Sequence, residues 1–511
     1  MSGLTTPRKL TIVGLVALLA AAPFVPRGGD DDDGAISPSV QQRWLPRSAE
    51  AVGWGRISAA DAAEIDRVVG TGLTLGRRLA GTVDRVAPDG VLGRAALGSG
   101  AIDARRVVDT VVRCAEFSGQ RYCLGTGWTD RTQRQVQTDA LRSVEQVLAR
   151  RAPVQETGDL DAADSLARLA SMTPIARAAR ERAELRQAAR SVAKVWILRH
   201  DIQGVPLPAG FLAAHPEARV DARTVTADRA ARPSASATKS PSKSPSKSPS
   251  KSPSKSPSKS PSKSPSKSPS KSPTPTKSPT KSPTKSPSPT KSPTPTRSPS
   301  PTRTTSATAS PSPTASSTPP LESYPRKRVV LDPSEVAEQV RTYWCGPTTM
   351  QMITWGWLGR DFGAAYWADK LGTTTSGTAI SDMVRVVNRF TGWDDADHAG
   401  PYIVLDISDW TYREWVTLIA RHVADYRAPV ILHPILLKKY FPYLDDDGSG
   451  HFQAGRGYYR PQKGAVQISY FEPWNQQRFD PSEPYIARVQ WQSAYRSYRA
   501  NLAHFQHNIG V

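Results

Sequence analysis

Apolar positions along this chain fall into two patterned regions separated by a stretch with almost nothing apolar in it. In the first region they recur at three and four: Ile175 and Ala179, then Leu185, Ala189, Val192 and Trp196, lie on one stripe of an amphipathic helix. Asp161 or Asp164 can open that helical run, since a carboxylate accepts from the free N–H groups of a first turn. On this pattern residues 37–230 are read as a mostly α-helical accessory domain. In the second region, residues 324–511, the periods mix. Asp332-Pro-Ser334-Glu335 has the form of a helix start and Thr349 to Leu358 that of a helix, while Pro429 to His433, His451 to Tyr459 and Ala465 to Phe471 read as strands. Helices first and an antiparallel sheet later predict an α+β domain.

The intervening residues 233–320 repeat Lys-Ser-Pro-Ser and then Ser-Pro-Thr units. Proline near every fourth position blocks helix and central strand, so the composition predicts a disordered linker with polyproline-II character. At about 3.1 Å per residue such a segment could reach on the order of 200 Å. It fits a spacer drawn to cell-wall polyanions through its lysines, and equally a plain tether.

Charge follows from the same segment. The net charge of +21 suggests a nucleic-acid partner until its distribution is examined. About 15 basic residues lie between Lys239 and Arg303 with no Asp or Glu among them, so the rest of the chain carries only about +6. No folded basic patch is implied, and no nucleic-acid partner is expected. At the N-terminus, Arg8 and Lys9 precede an uncharged run from Leu10 to Val25. Residues 1–25 therefore read as a signal peptide or an N-terminal membrane anchor. Ala20-Ala21-Ala22 offers a cleavage site that Pro23 disfavours. Either reading exports the bulk of the protein, as a secreted or wall-associated chain touching a membrane only through that segment.

The chain has three cysteines. Cys114 and Cys123 lie close in sequence and, in an oxidising compartment, are expected to form a disulfide. Cys345 has no such mate. It stands in Gln339-Val-Arg-Thr-Tyr-Trp-Cys345-Gly346-Pro347, where a helix is about to begin. A helix N-terminus favours a thiolate, and a glutamine amide upstream can donate to an oxyanion. Packing in the core among Tyr343, Trp344 and Met352 is the alternative for a lone cysteine. A thiol nucleophile needs an imidazole base and a group to orient it. His451 opens a strand after a polar loop, and pairing Tyr459 with Gly464 across a short turn would set His451 opposite Glu472. Asn475 is the reserve orienter. His433 is the rival base, with a structural role expected from its place before Pro434. His398, His422, His504 and His507 lack comparable surroundings.

These residues, in the order Gln339, Cys345-Gly346-Pro347, Gly450-His451-Phe452 and Glu472-Pro473, resemble the papain-like cysteine peptidases. They are most similar to the bacteriocin-processing type, family 39, in its stand-alone secreted form. The resemblance covers the C-terminal domain only. It implies a papain-like fold with Cys345 as nucleophile, His451 as general base and acid, Glu472 as orienter and Gln339 as oxyanion donor. Glu472 stands where the family usually has Asp, and Trp344 where an acidic residue often precedes the nucleophile. No later apolar run could span a membrane, so a leader peptidase within an export machine is not expected. The expected activity is hydrolysis of a peptide or amide bond without a cofactor. Peptidoglycan stem peptides are one candidate substrate. A catalytically idle wall- or protein-binding module is the reading from a different class.

Two further signals lie in the C-terminal part. Asp445-Asp446-Asp447-Gly448-Ser449-Gly450 starts like a calcium loop, but the closing Glu is replaced by Arg456, so a turn beside His451 is expected. Trp355, Trp357, Trp367, Trp393, Trp410 and Trp415 suit either a binding cleft or the core.

Overall fold

The computed structural model describes residues 55–87, 92–149, 155–159, 161–218, 320–391 and 400–511. The N-terminal apolar run, the repeat segment, His398 and Trp393 lie outside them. In chain order the helices and strands begin with α1 (Ala59–Val86), α2 (Arg94–Gly98), α3 (Ala104–Val111), β1 (Cys114–Phe117), β2 (Gln120–Cys123), β3 (Gly127–Trp128), α4 (Gln133–Leu148), α5 (Ala162–Ser171), α6 (Pro174–Leu198) and α7 (Phe211–Ala214). They continue with β4 (Lys327–Val329), α8 (Cys345–Leu358), α9 (Ala364–Leu371), α10 (Ile380–Phe390), β5 (Val404–Asp406), α11 (Tyr412–Ala424), β6 (Val430–Leu432), β7 (Gln453–Tyr459), β8 (Gln467–Phe471), β9 (Val489–Ser493), α12 (Ala494–Ala503) and β10 (Asn508–Gly510). Among the described residues no helix is long and apolar enough to cross a membrane.

Helix starts are chemically marked. Ser58 with Asp61, Thr132 with Gln135 and Thr411 with Glu414 form reciprocal capping boxes at α1, α4 and α11. Asp161 caps α5, accepting from the backbone N–H groups of Ala163 and Asp164, but α5 ends at Ser171 and the striped helix α6 opens separately at its own cap, Thr173. Pro174 occupies the first turn of α6, where a missing N–H costs nothing.

The strands form one mixed sheet in the order β1-β2-β3-β5-β10-β6-β7-β8-β9, with β4 added beside β7. Its pairings are antiparallel except β3 with β5, where Trp128 and Leu405 run parallel. The helical segment before the repeats and the α+β segment after them, expected as separate domains, are therefore joined through this sheet and fall in one compact unit. A single apolar cluster runs from Val68, Trp128, Leu185 and Val192 to Leu405, Trp415 and Ile431. A satellite cluster under α3, α4 and α5 includes the disulfide Cys114–Cys123, which joins paired residues of β1 and β2.

Two expectations are corrected. The α6 stripe holds from Leu185 to Trp196, but Ile175 is 79% exposed and Ala179 is also exposed. That end of α6 buries Ala178, Arg177 and Glu181 instead, and Glu181 pairs with Arg113 in the interior. Asp332 starts no helix. Its carboxylate accepts from Ser334 N–H while the Glu335 carboxylate accepts from Asp332 N–H, closing a turn; the next helix is α8, beginning at Cys345. Trp367, Trp410 and Trp415 are core residues, at most 2% exposed, and Trp355 is half-buried.

Candidate active site

Cys345 is the first residue of α8, a free thiol with no exposed surface. His451 precedes β7 and Glu472 follows β8, so the sheet delivers both to the helix N-terminus. They do not pair directly across the strands. β7 and β8 match Ala454 with Phe471 and Tyr459 with Gln467, with an irregularity at Arg456. The turn is longer than the sequence suggests, and Glu472 accepts from Gln453 Nε2 at 2.7 Å. His451 lies two residues further on the same strand face, and the longer Glu side chain reaches it on the diagonal, at 2.6 Å from Nε2 to Oε1. Glu472 also accepts from Tyr443 Oη at 2.7 Å and from Trp474 N–H at 2.9 Å. Asn475 is not in this network. Its amide donates to Glu338 and its oxygen accepts from Ile486 N–H.

The other ring nitrogen, Nδ1, lies 2.8 Å from the carbonyl oxygen of Thr157. A carbonyl and a carboxylate can only accept, so both nitrogens of His451 carry protons. Burial by itself would discharge the ring. The Glu472 charge, with hydrogen bonds to Cys345 and Glu472, outweighs it and pushes His451 up to about 10. Burial would likewise raise Glu472, but the imidazolium and the converging donors hold it below the usual carboxylate range.

Gln339 is fully buried, and its Nε2 donates toward the carbonyls of Thr342, Arg341 and Thr157 at 3.0, 3.1 and 3.3 Å. Cys345, His451, Glu472 and Gln339 thus meet as expected from sequence. Thr157 was not expected. Residues 155–159 come from the helical half and lie across the group: Ser449 N–H donates to Gln155, Thr157 N–H donates to Ser449 Oγ, and Asp159 N–H donates to Gly450. Gly158 sits on Cys345 so closely that a Cβ there would overlap Sγ. Its φ of +144° is one that L side chains rarely adopt. No local signal in Glu156-Thr-Gly-Asp159 marks this placement, because the contacts are set by the shared sheet.

Asp159 continues into a second buried group. Its Oδ2 lies 3.0 Å from His433 Nε2 and 3.3 Å from His504 Nε2. His433 Nδ1 meets Asn508 Oδ1 at 2.8 Å; Asn508 Nδ2 donates to the carbonyls of Gly125 and Thr126, so that oxygen is the acceptor. His504 Nδ1 accepts from Gln506 N–H, which leaves its proton on Nε2, facing Asp159. Burial, with His433 beside it, pushes His504 down to about 3. Burial would raise Asp159, but hydrogen bonds and charge from both rings hold it well below the usual range. These residues are the one His/Asp group among those described whose ligand atoms lie within 4.8 Å of one another. A metal here would have to displace the His504 proton, so the group reads as a hydrogen-bonded carboxylate. The structural role expected for His433 fits this geometry; the place of His504 was not foreseen. In the loop 445–450, Lys438 N–H donates to Asp447 Oδ1 and its ammonium to the Asp445 carbonyl, as in a closed turn.

Compared with known proteins, the chain matches no family model, no curated protein and no solved structure.

Proposed function

We propose that the chain is an exported cysteine-type hydrolase cleaving a peptide or amide bond, its C-terminal part built on papain-like lines. The observation that carries this reading is the convergence of a free thiol at a helix N-terminus with an imidazolium clamped by a buried carboxylate and with a glutamine amide. In the reaction the Cys345 proton already resides on the His451 imidazolium, and the thiolate paired with it attacks the substrate carbonyl carbon. Gln339 Nε2 donates to the oxyanion, and His451 returns the proton to the departing nitrogen. Water, deprotonated by His451, then hydrolyses the acyl-thioester. Glu472 keeps the imidazolium oriented and neutralised throughout. Export is supported by the disulfide Cys114–Cys123, which suits an oxidising compartment.

The burial of Cys345 beneath the chain's own segment also favours a second reading, an idle binding domain. Cleavage of a mixed peptide pool, followed by mass spectrometry, separates the two. It is run with the wild type and with Asp159→Ala, which removes the carboxylate holding the covering segment. Cleavage that falls by about a thousandfold or more in Cys345→Ala supports the hydrolase. Absence of cleavage by either chain, together with Cys345 alkylation indifferent to His451→Ala, leaves the binding domain.

A further inference from the structure

We propose that residues 155–159 are a built-in strap that closes the candidate active site, so that the chain as it folds is held inactive until the strap is displaced. This rests on the hydrolase reading and concerns the regulation of that site. The strap is fixed at three levels. Its backbone is hydrogen-bonded to Ser449 and Gly450, immediately before the catalytic imidazole. Its Asp159 carboxylate is held by His433 and His504. Its Gly158 fills the space over Sγ that an attacked carbonyl would need. The facing walls have no side chains at the closest approaches. A Cβ on Gly377 would overlap the Gly158 carbonyl oxygen, and one on Gly450 would stand 2.7 Å from His504 Nε2 and 3.1 Å from the Asp159 Cβ.

The strap is held as a blocker and not as a substrate. A peptide about to be cleaved needs the imidazolium proton on its departing nitrogen. Here Nδ1–H donates to the carbonyl oxygen of Thr157, 2.8 Å from nitrogen to oxygen, and that oxygen also accepts from the Gln339 amide. The strap therefore takes up the general acid, and it shares the Gln339 amide with the Thr342 and Arg341 carbonyls. Displacing it would free Nδ1 to face the sulfur and Gln339 to meet a substrate. A cavity of about 640 Å³ opens beside it, lined by Glu156, Asp159, Ser449, Gly450 and His504.

The test is the rate of iodoacetamide alkylation of Cys345, the one free thiol of the oxidised chain. It compares full-length wild type with Gly158→Val, Asp159→Ala and the control Gly70→Ala, whose added Cβ meets nothing within 4 Å. Slow labelling of the wild type and the control, and a gain of at least about tenfold in each strap variant with cooperative unfolding retained above the labelling temperature, is the expected result. The proposal is overturned if wild type labels as fast as the urea-unfolded chain, or if neither strap variant speeds labelling. If the strap variants label faster but with a rate and pH profile indifferent to an added His451→Ala change, the strap stands and the hydrolase reading falls.

Discussion

At the scale of single residues the site depends on one buried pair. Glu472 contacts His451 on a diagonal that uses its full length, at 2.6 Å. Glu472→Asp would withdraw the oxygen by about 1.5 Å, and we expect a loss of roughly 10–100-fold in the peptide-cleavage rate of the Asp159→Ala chain, as for other groups that orient a catalytic imidazole. An unchanged rate would mean that Glu472 does not orient the ring. The same pair sets a pH window. His451 is raised from 6.5 to about 10, so the stability it contributes is complete below pH 6.5 and is lost as the pH rises through about 10. Glu472 is lowered from 4.5, so its contribution is complete above pH 4.5 and is lost as the pH falls through its folded value. The gap in thermal unfolding between wild type and Glu472→Gln should be widest near about pH 5–6 and close toward about pH 10; a gap that widens above about pH 8 would contradict the assignment. Much of this was legible in the sequence, since Gln339, Cys345, His451 and Glu472 each sit in a marked local setting. The register was not. The turn from Tyr459 to Gln467 is longer than any local signature shows and moves Glu472 away from a direct pairing with His451, while the irregularity at Arg456 brings it one residue back, opposite Gln453.

Among the elements, β3 is the smallest and the most consequential. Gly127 and Trp128 carry the sheet from the β1–β2 hairpin to β5. Trp128 is fully buried, edge-on to Tyr122 and Phe117 at 5.3 and 6.1 Å between ring centroids. Trp128→Ala should lower the unfolding free energy by about 3–5 kcal/mol in urea titrations; a loss below about 1 kcal/mol would mean the contact is not part of the core. A strand this short gives no alternation to read, which is why the pattern of residues 37–230 marks helices and no strand. The α6 stripe failed at Ile175 for a related reason. The burial of Arg177 and Glu181 depends on Arg113, a partner far away in sequence.

For the whole molecule, the repeat segment divides the sequence without dividing the fold. Arg131 with Asp406 at 2.8 Å, and Arg180 with Asp382 at 3.0 Å, add ion pairs to the shared sheet and core. Cutting the chain at a protease site engineered among the Lys-Ser-Pro repeats should therefore leave both pieces eluting together on gel filtration under native conditions. Separate elution would contradict the joined sheet. Only tertiary structure could show this join, because each half has its own apolar pattern and neither announces the other. The same join brings the strap to the thiol.

The central claim is that Cys345 and His451 act as a pair, and it is tested most directly in the strap-released Asp159→Ala chain. The measurement is the alkylation rate of Cys345 at about pH 6, with and without His451→Ala. Fast labelling that falls by about tenfold or more when the imidazole is removed is the expected result. Equal rates in the two chains from acid to alkaline pH would show an ordinary thiol and contradict it.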